Sequence, residues 1–427
     1  MQIKIKGARI LDPGIIDAKK DIIIKDNLIK AIVEPEDNVS ETDYQIVDAT
    51  QMIVVPGLVD IHVHLREPGF EYKETIETGL KAAAKGGFTA VCSMPNTNPV
   101  NDNAKTTQFI INRASELGLS RVYPAGAITR GSMGESLAEI SEMQKAGVVA
   151  VTDDGRPLEN SNIMRQALEY CKKLDIPIFV HAEELSLVDG GVMNESSFSV
   201  FYGIKGIPNA AESVMVIRDI ALAELTCAHV HFCHISTRES VEAIRQAKKR
   251  GVNVTCETAP HYFTLTDEDV KNYNTNFKMN PPLRSKKDKQ AVIQGLKDGT
   301  IDLIASDHAP HSIVEKDVDF EKAPFGIVGL ETSLSLSLKL VHDNVLTMEE
   351  LVNKMSKYPA KLLKLDNDIK PGNIADLTII DPGMTHQIDP EKFESKSRNT
   401  PFSGFKVKGG VYLTMVNGQI VYELDCV

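Results

Sequence analysis

Leu58-Val59-Asp60-Ile61-His62-Val63-His64 is a short apolar run that closes on two histidines. Its length is that of a strand, and its near-continuous apolar character suits a buried parallel strand. Similar runs recur at 89–93, 122–128, 148–152, 176–180, 230–233, 252–256 and 301–305. Amphipathic stretches with helical spacing follow most of them, at 74–85, 164–173, 214–225, 240–249 and 287–297. Strands alternating with helices predict a parallel sheet, and eight strands close a (β/α)8 TIM barrel. An open doubly wound sheet is the alternative. No Gly-x-Gly-x-x-Gly follows an early strand, so dinucleotide binding lacks its usual mark.

The two ends of the chain read differently. Residues 21–25 and 28–32 alternate around Asp26-Asn27, a hairpin signal. Residues 411–416 and 419–422 do the same around Asn417-Gly418, a stronger one. The expectation is a small β-sandwich domain built from both termini, 1–55 with 365–427, around a catalytic barrel at 56–364. The whole is of the α/β class.

Composition narrows the function. The net charge of -12 argues against general nucleic-acid binding, which needs a basic face. The start Met1-Gln2-Ile3-Lys4-Ile5-Lys6 alternates like a strand and lacks the build of a secretory signal. No apolar run is long enough to cross a bilayer. Cys92, Cys171, Cys227, Cys233, Cys256 and Cys426 include no Cys-x-x-Cys pair, so a thiolate zinc site or redox dithiol is not indicated. Reduced, mostly buried thiols in a cytoplasmic protein are the simplest reading.

In a barrel the chemistry sits where strands end and the following loops begin. His62 and His64 close the first run, Asp153-Asp154-Gly155 the fourth, His181-Ala182-Glu183 the fifth, His234-Ile235-Ser236 the sixth and Ser306-Asp307-His308 the eighth. One such histidine is usually structural, but convergence changes the reading. His62 and His64 are two apart and so face one side of a strand. Imidazole and carboxylate without thiolate suit zinc, and the set is rich enough for two ions sharing a carboxylate. His229-Val230-His231 has the same spacing but lies at the start of its strand, so core or barrel-bottom packing is expected. His261 is expected to be structural, His342 and His386 exposed.

These residues also resemble a known group. Pro56 to His64 is similar to the opening strand of the amidohydrolase superfamily, and Leu65-Arg66-Glu67-Pro68-Gly69 extends it in the manner of dihydroorotases. Met94-Pro95-Asn96-Thr97, Thr152-Asp153-Asp154-Gly155, His234-Ile235-Ser236-Thr237, Asn280-Pro281-Pro282-Leu283-Arg284 and Ser306-Asp307-His308-Ala309-Pro310-His311 fit the same family. The ordered set, running into Lys370-Pro371-Gly372-Asn373-Ile374-Ala375-Asp376-Leu377, resembles the class I dihydroorotases.

The resemblance implies that His62, His64 and Asp307 hold one zinc ion, that His181 and His234 hold a second, and that Asp154 bridges them. The choice of Asp154 over Asp153 rests on that resemblance. It implies a zinc-bound hydroxide as nucleophile and Asp307 as general acid and base, in the reversible cyclisation of N-carbamoyl-L-aspartate to L-dihydroorotate. It implies that Arg66, Asn96 and His311 grip the substrate carboxylate, Arg66 as a bidentate partner. Beside the ligand His64 in the substrate pocket, Asn280 would meet the ring amide, and Phe325 and Gly326 would offer backbone groups. A homodimer, or aspartate transcarbamoylase as partner, is compatible with the family. The rivals are a hydantoinase, dihydropyrimidinase or allantoinase acting on neutral rings, and a catalytically silent relative used for assembly.

Overall fold

The computed structural model describes residues 2–35 and 44–424. Cys426 lies outside them.

The barrel strands are Leu58–Val63, Phe88–Ser93, Arg121–Val122 with Ala125–Gly126, Ala150–Val151, Ile178–Val180, Val230–Phe232, Val254–Thr258 and Leu303–Ile304. Each pairs in parallel with the next. The ring closes where Val63 bridges His308 and the His64 amide donates to the His308 carbonyl at 2.8 Å. A barrel, and not an open sheet, is therefore the outcome. The run 122–128 is broken in two at Pro124, which has no N–H to give to a ladder.

Helices fill the crossovers. Ser161–Leu174 shows why its sequence is helical: Met164, Ala167, Leu168 and Cys171 are buried at helical spacing, and Asn160 caps its first turn by accepting from the amides of Asn162 and Ile163.

The termini form one eight-stranded sheet. Gln2–Asp12 sits between the hairpin partner Ile16–Lys25 and Ile53–Pro56, and Leu377–Gln387 continues the sheet from Ile53–Pro56 to Lys406–Val416 and Gln419–Glu423. Both anticipated hairpins are present, with Lys25 opposite Leu28 and Val416 opposite Gln419. Ile29, from one edge of the sheet, and Leu413, near the other, share a core with Ile5, Ile10, Val54 and Ile379. The sheet thus curls over itself, which is how one sheet makes two facing layers.

No helix among the described residues is long and apolar enough to cross a membrane. His342 is exposed, as expected, but His386 is half-buried in the long strand Leu377–Gln387.

Candidate active site

The strand-end residues converge. His62 and His64 leave the first strand, Asp154 the fourth, His181 the fifth, His234 the sixth and Asp307 the eighth. Asp154 Oδ1 lies 3.4 Å from His62 Nε2 and 3.7 Å from both His181 Nδ1 and His234 Nε2, while its Oδ2 lies 3.5 Å from His64 Nε2. Asp307 Oδ1 lies 3.6 Å from His62 Nε2 and 3.4 Å from His64 Nε2. Two ligands held about 2.1 Å from one ion at a tetrahedral angle stand about 3.4 Å apart, so these spacings match a shared ion better than direct hydrogen bonds.

Other observations fit the same conclusion. His62 Nε2 and Asp154 Oδ1 are buried with no hydrogen-bond partner, which costs free energy unless something else satisfies them, while His234 Nε2 lies 2.9 Å from His181 Nδ1. His62, His64 and Asp307 form one group of potential ligands, and Asp154, His181 and His234 another. Cys233 lies near His62 and Asp154, but burial pushes its thiol up, so it stays protonated and is a poor ligand. Asp153 is otherwise engaged: its carboxylate accepts from the amides of Ile128 and Thr129 and from the Thr129 hydroxyl. Of the two adjacent aspartates, only Asp154 joins the cluster.

The electrostatics favour charged acids here. Burial raises the Asp154 and Asp307 carboxyls, but the surrounding histidines, His62 foremost, bring both below the usual carboxylate range. Arg66, His234 and Asp307 all have positive φ, at 63°, 36° and 48°. Non-glycine residues held so are strained by about 1–3 kcal/mol each, and such strain concentrates at functional sites.

Beside the cluster lies a cationic wall. Arg66 is buried; its Nε donates to the Pro310 carbonyl at 3.2 Å, and its Nη2 approaches His311 Nε2 at 3.5 Å. Burial lowers its pKa to about 10, which leaves it charged at neutral pH. Among the described residues no carboxylate stands within ion-pair distance of it. Burial and the cations Arg66, Lys73 and Lys316 push His311 well down, so its ring is neutral.

Asn96 Oδ1 lies 2.9 Å from His64 Nδ1, and Asn280 Nδ2 donates to Glu183 Oε1 at 2.9 Å. Glu183 in turn meets His181 Nε2 at 3.2 Å. The Phe325 carbonyl faces His311 Nε2 at 2.8 Å, and Gly326 donates to the Lys278 carbonyl and accepts from Asn399 Nδ2. This loop therefore reaches the pocket wall, with its backbone groups already engaged by the protein.

Three contributors were not anticipated. Glu257 lies inside a barrel strand, with Oε1 2.6 Å from His62 Nδ1 and Oε2 3.2 Å from His231 Nε2. Glu74 is fully buried and binds His308, Thr78, Ser395 and the Lys396 amide. Asn399 accepts from the His311 amide and donates to the carbonyls of Ala309 and Gly326. Asn399 and Ser395 come from the tail, so that segment braces the site. His231 and His229 both bond Thr255 at the barrel bottom, as their position implied.

Comparison with known proteins settles the family. A family model described as dihydro-orotase-like matches residues 51–240. The dihydroorotase of Desulforapulum autotrophicum is 63% identical over 425 residues, 100% of both chains. That of Geobacter metallireducens is 53% identical over 99% of this chain and 100% of its own. The chain belongs to the dihydroorotase family. Among solved structures, the L-hydantoinase of Arthrobacter aurescens superposes with a TM-score of 0.89 at 27% identity, covering 99% of this chain and 96% of that one. A dihydropyrimidinase from Brevibacillus agri, at 23% identity and a TM-score of 0.83 over 99% and 95% of the two chains, shares the fold. Family, fold and the His/Asp cluster together make this a metal-dependent cyclic amidohydrolase.

Proposed function

We propose that this chain interconverts N-carbamoyl-L-aspartate and L-dihydroorotate, the ring closure of de novo pyrimidine synthesis. The observation that carries the choice of ring is Arg66, a buried guanidinium with no protein carboxylate beside it. A substrate carboxylate satisfies that charge, and a hydantoin ring without one does not. His62, His64 and Asp307 would hold one metal ion and His181 and His234 a second, with Asp154 near both groups; we take the metal to be zinc. When bound, such an ion activates water near neutral pH and polarises a carbonyl oxygen.

The protein's own part is positioning and proton transfer. Arg66, with neutral His311 and Asn96, orients the free carboxylate, and Asn280 meets the ring amide. In ring opening the water oxygen bonds to the ring carbonyl carbon and the C–N bond breaks. Asp307 accepts the water's proton and delivers it to the departing nitrogen. Ring closure is the same path reversed, with water lost.

Turnover of dihydroorotate and of hydantoin on one preparation tests the reading. Dihydroorotate is expected to be the better substrate. Arg66→Ala should lower kcat/KM for it by about thirtyfold or more, given the about 2–5 kcal/mol carried by a buried charge pair. Faster opening of hydantoin, untouched by Arg66→Ala, would mean a hydantoinase instead. Metal analysis of the purified chain checks the proposed two ions.

We also propose a homodimer. Val200, Phe201, Ile313 and Val314 are large apolar side chains left strongly exposed, which supports a protein contact. Sedimentation equilibrium distinguishes a dimer from a monomer.

A further inference from the structure

At the end of the barrel opposite the His/Asp cluster, the starts of four strands surround a cavity of about 670 Å³. Pro177, His229, Asn253 and Asp302 mark those four starts. The volume falls within the about 300–1,000 Å³ common to small-molecule sites.

The cations lining it are lysines: Lys172, Lys297, Lys354, Lys361 and Lys364. Lys364 pairs with Asp175, and Lys172 donates to the Thr226 carbonyl. Lys354 is different. It is 5% exposed, and its Nζ donates to the Ile301 carbonyl at 2.7 Å. Among the described residues no carboxylate lies within ion-pair distance of it.

The nearby acids are committed elsewhere. Both Asp302 oxygens lie 2.6 Å from Lys248 Nζ, and Glu350 Oε2 accepts from the Thr347 amide at 2.7 Å. A buried ammonium served by a neutral carbonyl is costly, and burial pushes the pKa of Lys354 down accordingly. Lys297 and Lys361 line the same cavity with no ion pair among the described residues.

We propose that this cavity binds a small organic phosphate, its phosphate seated against Lys354 and attracted by Lys297 and Lys361. Three ammonium groups without a carboxylate partner among the described residues suit the nearly two negative charges of a phosphate monoester better than the single charge of a carboxylate. The apolar walls Ile176, Leu296 and Leu362 suit an organic portion beyond the phosphate.

Calorimetric titration of the full, metal-containing chain with adenosine monophosphate and with orthophosphate tests this. Adenosine monophosphate is expected to bind the unaltered chain and Arg66→Gln equally. Combining Lys297→Gln with Lys361→Gln should weaken it about tenfold, and Lys354→Gln at least as much. The exposed pair carries the test if Lys354→Gln does not fold, since Lys354 also holds the Ile301 carbonyl. The proposal is overturned if neither probe binds, or if orthophosphate alone binds. It is equally overturned if binding is lost in Arg66→Gln and kept in the lysine variants, which would place the anion in the active site.

Discussion

Glu257 stands behind His62 and decides how that ring is presented. Burial raises its carboxyl, but His62 and His231 bring it down to about 2, so it is ionised at any working pH. An ionised carboxylate 2.6 Å from Nδ1 keeps a proton there, so the Nε2 proton, on the side facing Asp154 and Asp307, is the one a bound metal would displace. Glu257→Gln removes the charge and keeps the size. It should weaken metal binding about 10–100-fold, as losses of such supporting carboxylates do. Competition with a chelator measures this directly; unchanged affinity would reduce Glu257 to a packing residue. Asp307 has its own signature. It must be ionised to begin ring opening and protonated to begin ring closure. Opening should therefore gain rate toward alkaline pH and closure toward acid, and parallel profiles in the two directions would remove Asp307 from this role. The ligand residues were legible because each closes an apolar run. Glu257 was not: it too follows an apolar run, 252–256, but no histidine stands beside it in sequence, and only the fold sets it behind His62. Asn399 was not, because it is 88 positions from His311 and only the fold brings them together.

The strand Val230–Phe232 shows the same limit at the scale of an element. His229-Val230-His231 imitates the ligand pattern of His62-Val63-His64, and only position along the strand separates them. At the strand's start both rings turn to Thr255, at 2.9 Å and 2.8 Å, and His231 passes contact on to Glu257. Thr255, His231, Glu257 and His62 thus form one hydrogen-bonded column from the barrel bottom to the cluster. Burial foremost, and nearby His231 with it, lower His229 from 6.5 to about 4. Unfolded, this imidazole takes a proton near 6.5; folded, it resists until about 4. Stability is therefore lost as pH falls between those values, by about 3 kcal/mol at most, and the loss levels off below the folded pKa. His229→Gln can keep a hydrogen bond to Thr255 without titrating. Urea midpoints at pH 7 and pH 5, in buffer free of phosphate, should differ less in the variant than in the parent. Equal differences would assign the acid sensitivity to other groups. The broken third strand teaches a related lesson: the apolar count of 122–128 was right, and Pro124 alone interrupted the ladder.

At the scale of the molecule, the terminal sheet and the barrel meet at a one-residue joint. Ile53–Pro56 belongs to the sheet, Leu58–Val63 to the barrel, and only Gly57 separates them. A Cβ on Gly57 would stand 2.1 Å from Thr89 Oγ1, so the second barrel strand presses directly on the joint. Asp376 ties it from the other side. Its carboxylate takes a bidentate pair from Arg121 at 3.0 Å and 3.1 Å and accepts from the Asn417 amide at 2.6 Å, while its carbonyl accepts from the Gly57 amide at 3.0 Å. One residue thus joins the C-terminal hairpin, the joint and the third barrel strand. With tail residues also bracing His311 and Glu74, the two parts have little means to unfold separately. The parent chain should melt in one transition. Asp376→Ala should lower stability by about 2–4 kcal/mol, since it strands Arg121 in a half-buried position, yet the melt should stay single because the strand pairing of Leu377 with Pro56 remains. Calorimetry alongside near-ultraviolet dichroism from tyrosine, the chain having no tryptophan, reads both quantities. Two resolved transitions in the parent would show that the sheet folds on its own and that Asp376 is a local clasp.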